Sequence, residues 1–323
     1  MDRKMIAEIV NASGISAGEM ILIHFWGEDA DREIANSFLV AVAEAGATPV
    51  LLQQSRTVNR DIFLAAKDSC YSGRYFDLLS QFDAVFDVFA YQPVILGYKI
   101  EDEKFELYRK YMAQLFSALM KCKRFLQIRI PTAANAEGSG LEPQDYIRRM
   151  ERAYDVDYAA IDKACRQAIG RFEGVNEVRL RTGKDCELSL DLTGRRWHID
   201  AGDGDLPCGE VYIAPLESKT QGTVYFEEFY LDGVKYEHVL LCVKDGRVSG
   251  SSQPAVMAFF ENSVVCELGF GMNPGVTELC GYTALDEKMC GTFHIAVGAN
   301  DMFGGTNAAS DHIDFVGCGT IDW

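Results

Sequence analysis

The chain has 323 residues, of which 48% are hydrophobic and 24% charged, with a formal net charge of -17 at pH 7. Such a length can bury one large core or two, and such a composition is ordinary for a globular protein. The surplus of acid repels phosphate backbones, so nucleic acid is not an expected partner.

The opening residues, MDRKMIAEIV, are too polar for a signal peptide. No apolar run approaches the roughly 20 residues that a membrane helix needs. No membrane partner and a cytoplasmic location are therefore expected. The ten cysteines include no Cys-x-x-Cys pair and read as reduced and mostly buried, Cys266 and Cys290 included.

Residues 2–12 read as a short helix ending before Gly14. GEMILIHFWG is a buried strand, with His24 inside it as a buried, hydrogen-bonded histidine. DADREIANSFLVAVAEAG follows with Ile34, Phe38, Leu39 and Val42 at helical spacing and Gly46 at its end. ATPVLLQQ is the next strand, and strand–helix–strand order argues for a parallel sheet. The loop WGEDADRE lacks the spaced glycines of a dinucleotide fingerprint. Asn59 to Asp68 reads as a helix, and FDAVFDVFAYQ as a strand ending near Gln92. EDEKFELYRKYMAQLFSALMKC is an amphipathic helix with acids in its first turn and lysines in its last. RFLQIRIP is a strand stopped by Pro131. EPQDYIRRMERAYDVDYAAIDKACRQAIGRF reads as one long helical stretch ending near Gly170.

From Phe172 the texture changes. EVRLRTGKDCELSLDLTG alternates around Thr-Gly-Lys-Asp, a hairpin signal. RRWHIDAG reads as a third strand, with His198 exposed by alternation. Two further turns are expected at Asp232-Gly233 and Asp245-Gly246, and His238 lies in a strand with no partner in view. The expected class is therefore α/β. An N-terminal parallel-sheet α/β domain (residues 1–170) precedes a β-rich α+β metal-binding domain (residues 171–323), with the break between about Ala168 and Val175.

The chemistry concentrates between His294 and Asp314. Alternate residues of a strand point the same way, so His312 and Asp314 share a face, with Ile313 on the other. Imidazole beside carboxylate suits Zn²⁺, Mn²⁺, Co²⁺ or Fe²⁺. His294 starts another apolar alternation, and the loop GANDMFGGTNAAS can reverse the chain to bring the two histidines together. Two acids stand out upstream, Glu210 in DLPCGEVYIAP and Glu267 in VVCELGFGMNPG. An acid in apolar surroundings must be paired, protonated or bound to a cation. A salt bridge or a backbone cap is the competing role for each, as an ordinary satisfied histidine is for His294 and His312.

The segments DLPCGEVYIAP, CELGFGMNPG, GTFHIAVG and HID, in that order, resemble the M29 metallopeptidases, the aminopeptidase T/aminopeptidase S family. The N-terminal half is similar too, so the resemblance covers most of the chain. It implies that Glu210, Glu267, His294, His312 and Asp314 are ligands of a two-metal centre holding Zn, Co or Mn. Glu210 would be the general base where it is not a full ligand. It also implies a homodimeric aminopeptidase that removes N-terminal residues from peptides.

One position departs from the pattern. The family's peptidases carry a tyrosine seven residues after the first histidine, where this chain has Asp301. Asp301 is thus a candidate ligand in place of a phenol. The loop GANDMFGGTNAASDHID also resembles a branch that includes 2,5-dihydroxypyridine 5,6-dioxygenase. That implies an alternative, ring cleavage of a small-molecule substrate at one Fe(II) held by two histidines and Asp314. The retained Glu210 and Glu267 favour the peptidase arrangement. A third reading is a non-catalytic metal-binding homologue that kept the fold.

Overall fold

Residues Ile21 to Trp26 are all buried, which is the pattern of a strand covered on both faces. The structure, a computed structural model, describes residues 1–93, 101–183, 185–231, 233–260 and 263–322. The chain forms two units. The first comprises Met1–Gly138, Glu142–Tyr154 and Gly202–Leu206; the second comprises Ser139–Leu141, Asp155–Ala201 and Pro207–Trp323.

The first unit contains α1 (Arg3–Ala12), β1 (Met20–Trp26), α2 (Arg32–Glu44), β2 (Thr48–Gln54), α3 (Arg56–Ala65), α4 (Gly73–Leu79), β3 (Ala84–Phe89), α5 (Asp102–Leu119), β4 (Arg124–Arg129), α6 (Ala133–Ala136) and α7 (Pro143–Tyr154). Its sheet runs β2-β1-β3-β4, with the short strand Asp205–Leu206 beside β4, and every pairing is parallel. His24 is buried as expected. Its Nδ1 lies 2.8 Å from Asp87 Oδ1, and Trp26 Nε1 donates to the same oxygen at 2.8 Å. The amide nitrogen of Gln54 is 3.0 Å from His24 Nε2. An amide nitrogen can only donate, so Nε2 accepts and the ring proton sits on Nδ1. Every ring nitrogen is then satisfied, and this histidine is structural.

Glu28 ties three segments of this unit together. Its Oε2 accepts from Ser55 Oγ at 2.6 Å, and its Oε1 from the Arg56 amide at 2.8 Å and Tyr91 Oη at 3.0 Å. Burial opposes the charge on Glu28, but the bonds from Ser55, Tyr91 and Arg56 outweigh it and hold the pKa below 4.5. A depressed carboxylate contributes stability above its unfolded pKa and loses it as pH falls through the folded value. Glu28→Gln should therefore cost about 1.5–3 kcal/mol in urea melts at neutral pH, the scale of bonds to a charged group. The gap to wild type should close as pH falls below 4.5. A gap independent of pH would show that the charge of Glu28 contributes nothing.

The second unit adds α8 (Tyr158–Gly170), β5 (Glu177–Thr182), β6 (Cys186–Asp191), β7 (His198–Asp200), β9 (Glu210–Ile213), β10 (Gln221–Leu231), β11 (Val234–Lys244), β12 (Arg247–Ser251), α9 (Pro254–Phe260), β13 (Val265–Gly271), α10 (Thr283–Asp286), β14 (Phe293–Gly298), β15 (His312–Gly317) and β16 (Thr320–Asp322), with β8 being the strand Asp205–Leu206 of the first unit. One sheet runs β12-β11-β10-β6-β5-β16 and the other β15-β14-β13-β9-β7. All their pairings are antiparallel. Leu188, Phe226, Phe229 and Leu241 of the first sheet share a core with Leu268, Phe293, Ile295 and Phe315 of the second. The expected class, parallel α/β followed by antiparallel sheet, is the one observed.

Several details differ from the sequence reading. The long stretch 142–172 is two helices, because the Asp157 side chain accepts from the Ala160 amide and caps a new start. The segment that begins at that break, Asp155–Ala201, belongs to the second unit. Ile161 and Cys165 of α8 pack on Val211 of β9, which ties the helix to the second unit. The helix expected from Asn59 to Asp68 spans Arg56–Ala65, since Ser55 accepts from the Val58 amide. Cysteines are less buried than expected: Cys70, Cys290 and Cys318 are exposed. His238 has a partner, Tyr225 Oη at 2.6 Å. The turn at Asp245-Gly246 has φ of 50° and 76°, both left-handed, as a two-residue hairpin between paired Lys244 and Arg247 requires. In the other two turns, Lys184 and Asp232 lie outside the described residues. No helix among the described residues is long and apolar enough to cross a membrane.

Candidate metal centre

Residues paired directly across a sheet lie on the same face. In the β15-β14-β13-β9-β7 sheet, Asp200 faces Glu210, which faces Gly271. His198 faces Tyr212, Tyr212 faces Gly269, and Gly269 faces His294. Glu267 faces Ala296, which faces Asp314, and Gly298 faces His312. One face of this sheet is thus polar, while the other carries Leu268, Phe293, Ile295 and Phe315 into the core. Glycine and alanine fill the polar face between the large side chains and leave room above the strands.

Glu267 reaches this face through a β-bulge. Val265 faces Val297, yet Glu267 faces Ala296, so two steps of β13 match one step of β14. Cys266 is the extra residue. Without the bulge Glu267 would share the core face with Val265.

The side chains converge. Glu267 Oε1 is 3.2 Å from His294 Nε2, and its Oε2 is 3.4 Å from His312 Nε2. Glu210 Oε2 is 3.5 Å from His294 Nε2, and Asp314 Oδ2 is 3.5 Å from His312 Nε2. Glu267 therefore spans both imidazoles, one with each oxygen. The donor atoms of Glu267, His312 and Asp314 all lie within 4.8 Å of one another, the one such group among the described residues. Five of the six sequence candidates, Glu210, Glu267, His294, His312 and Asp314, are brought together. Asp301 is not: it is exposed in a 3₁₀ turn, Asp301–Phe303, and joins the cluster by no hydrogen bond or ion pair among the described residues.

The Gly/Asn loop between β14 and β15 is tightly bonded. Asn300 donates to Cys266 O at 3.0 Å and accepts from the Asn307 amide at 2.9 Å, and Asn307 donates to Gly298 O at 2.6 Å. Gly298 has φ of 117°, and a Cβ there would meet Asp311 O at 2.0 Å. The loop must pass that close to return His312 beside Gly298. Phe303 of the loop lies across the Tyr212 and His198 rings, with centroids 5.4 and 6.3 Å away. His198 is half-buried, not exposed, with Nε2 3.1 Å from Phe303 O.

The cluster is short of positive charge. Burial works to lower the pKa of His294, yet Glu267 and Glu210 outweigh it and raise it to about 9. Burial likewise opposes the charge on His312, but Asp314, Cys266 and Glu267 carry it up to about 12. Burial pushes the Glu267 carboxyl up against the pull of His294. Asp314 is held low because His312 and His294 outweigh its burial. Carboxylates that draw protons onto both imidazoles would be satisfied equally by a divalent cation.

The His312 tautomer fits such an ion. His312 Nδ1 is 2.8 Å from Ala299 O. A carbonyl only accepts, so a neutral ring keeps its proton on Nδ1 and turns the Nε2 lone pair toward Glu267 and Asp314. Gly269 makes a comparable cradle for His294, since a Cβ there would meet His294 Nε2 at 2.0 Å. Imidazole nitrogens with carboxylate oxygens are suited to Zn, Mn, Co or Fe(II).

Three charged residues at this site went unread in the sequence. Lys288 Nζ lies 2.6 Å from Glu210 Oε1, 2.9 Å from Glu287 Oε1 and 3.7 Å from Asp200 Oδ2. Burial pushes the Glu287 carboxyl up to about 8, against the pull of Lys288. For Asp200 a signal existed: His198-Ile199-Asp200 repeats the His-Ile-Asp of residues 312–314. The two triplets form the opposite edge strands of one sheet. For Glu287 and Lys288, in ALDEKMC, nothing in the sequence separates them from a solvated charge run.

No family model and no curated protein matches this chain. Among solved structures, its fold is similar to that of wild-type AmpT from Thermus thermophilus, with a TM-score of 0.66 and 13% identity over 99% of this chain and 97% of that one.

Proposed function

We propose that the chain is a metal-dependent aminopeptidase, removing N-terminal residues from peptides at the centre built on Glu210, Glu267, His294, His312 and Asp314. The observation that carries this reading is the carboxylate of Glu267, which meets His294 with one oxygen and His312 with the other. It lies in a fold like that of AmpT, in keeping with the sequence resemblance to the aminopeptidase T/aminopeptidase S family. Ring cleavage at iron needs two imidazoles and one carboxylate on one ion. The donor group whose atoms all lie within 4.8 Å of one another has one imidazole and two carboxylates, which departs from that set and supports the hydrolytic reading.

A divalent ion held there supplies Lewis acidity to a scissile carbonyl and to an attacking water. The protein's own residues do the rest. Glu267, His312 and Asp314 would hold the ion, with His294 and Glu210 beside it. Glu210 Oε1 is fixed by Lys288, so Oε2, on the His294 side, is the oxygen that takes a proton as general base. The carboxylates attract the α-ammonium of a peptide, and Tyr212 with Phe303 offers an aromatic wall to its side chain. The resemblance further implies a homodimer in the cytoplasm.

Protein saturated with Zn, Mn or Co and given peptides with free or acetylated N-termini tests this. Free peptides should shorten one residue at a time, acetylated ones should persist, and a chelator should stop the reaction until metal is restored. Metal-replete protein that leaves every free peptide intact would overturn the peptidase reading.

A further inference from the structure

We propose that the Lys288 ammonium is a built-in cation on the Glu210 side of the centre, so that each chain takes up a single divalent ion, at Glu267, His312 and Asp314. This rests on the metal-centre reading above and narrows it.

The lysine is placed by the fold. Its side chain is only 2% exposed. Its backbone is held by the bond from the Lys288 amide to Leu285 O at 3.0 Å and that from the Asn273 amide to Lys288 O at 2.8 Å. Gly271 of β13 faces Glu210, and a Cβ on Gly271 would meet Met289 O at 2.1 Å and the Lys288 carbonyl carbon at 2.7 Å. The chain at Lys288 and Met289 therefore lies directly on the polar face, at the row of Glu210. From there the ammonium reaches Glu210, Glu287 and Asp200.

A buried ammonium costs several kcal/mol unless it is paired, and breaking such a pair strands the partner charge. Lys288 is thus a permanent part of the Glu210 side. A second divalent ion bound through Glu210 would stand one carboxylate away from it, and like charges oppose each other's binding. The other side differs. The ammonium forms its ion pairs with Asp200, Glu210 and Glu287 and acts on Asp314 only from farther off, while the donor atoms of Glu267, Asp314 and His312 lie within 4.8 Å of one another. The positive charge missing there is what a divalent ion provides.

Full-length wild type and Lys288→Gln are dialysed against excess Zn, Mn or Co in turn, and the bound metal is counted by mass spectrometry and by calorimetric titration. Wild type should saturate at one ion per chain. Lys288→Gln removes the ammonium from beside Glu210, Glu287 and Asp200, so a second binding step should appear and the count should rise to two. Lys288→Arg keeps the charge and should remain at one. Wild type that takes up two ions, or none, overturns the proposal, as does a folded Lys288→Gln that still saturates at one. If Lys288→Gln does not fold, the wild-type count decides alone. The peptidase reading fails separately. One ion per chain with no peptide hydrolysis upholds the lysine's role and overturns the activity, and hydrolysis with two ions per chain does the reverse.

Discussion

His312→Ala should purify as a folded protein that has lost most of its bound metal and at least ~10²-fold in turnover, the scale on which even residues behind the ligands matter. The ring is only partly packed: its side chain is 31% exposed, and Phe303 meets it edge-on with centroids 5.9 Å apart. What it gives the fold is the bond to Ala299 O, worth about 1 kcal/mol net. What it gives the centre is the sole imidazole of the tight donor group. Without it, Glu267 and Asp314 keep their charge but have no nitrogen ligand between them. Metal content and a thermal melt on one sample separate the roles. A variant that melts much earlier yet retains its full metal complement would end the assignment of His312 as a ligand.

Gly269→Ala should be damaging although it adds a single methyl group. The new Cβ would sit 2.0 Å from His294 Nε2 and 2.3 Å from Cε1. That ring is buried, with Glu267 and Glu210 against its Nε2, so it cannot step aside within the cluster. Overpacking of this kind costs about 1–3 kcal/mol, and a displaced His294 should also weaken metal binding. Gly73→Ala is the control, since nothing lies within 4 Å of its Cβ position in α4. Gly73→Ala should match wild type in melting temperature or exceed it slightly, as alanine favours a helix by about 1 kcal/mol over glycine. Gly269→Ala with unchanged melting and metal content would show that His294 is not held by that cradle.

Much of this arrangement follows from local pattern. The alternation of His312, Ile313 and Asp314 puts the first and last on one face because a strand has a period of two. The buried run around His24 marks a strand covered on both sides, and the Gly/Asn tract marks the return between β14 and β15. Other features depend on contacts distant in sequence. The bulge at Cys266 puts Val265 and Glu267 on opposite faces, where unbroken alternation would put them on one. Lys288 looks like surface charge because its carboxylate partners Glu210 and Asp200 lie far upstream in the chain. The break between α7 and α8 hides in Asp-Val-Asp, where a capping aspartate looks like an ordinary helix surface residue. His238 gains Tyr225 only through the pairing of β10 with β11.

The scatter of the donors across β9, β13, β14 and β15 also bears on when metal can enter. In the unfolded chain only His312 and Asp314 are near neighbours; Glu210 and Glu267 are brought to them by antiparallel pairing of distant segments. Such non-local pairing forms late and slowly relative to local structure. A metal bound at this centre would therefore follow sheet assembly and not nucleate it, so refolding in a chelator should still yield the native sheet. An ion that binds the folded chain alone stabilises it by mass action, by about 2.7 kcal/mol at a free concentration of about 100 Kd. In a cell short of that metal, the apoprotein would persist as a folded population with lower resistance to opening and to proteolysis, so metal supply would govern its abundance.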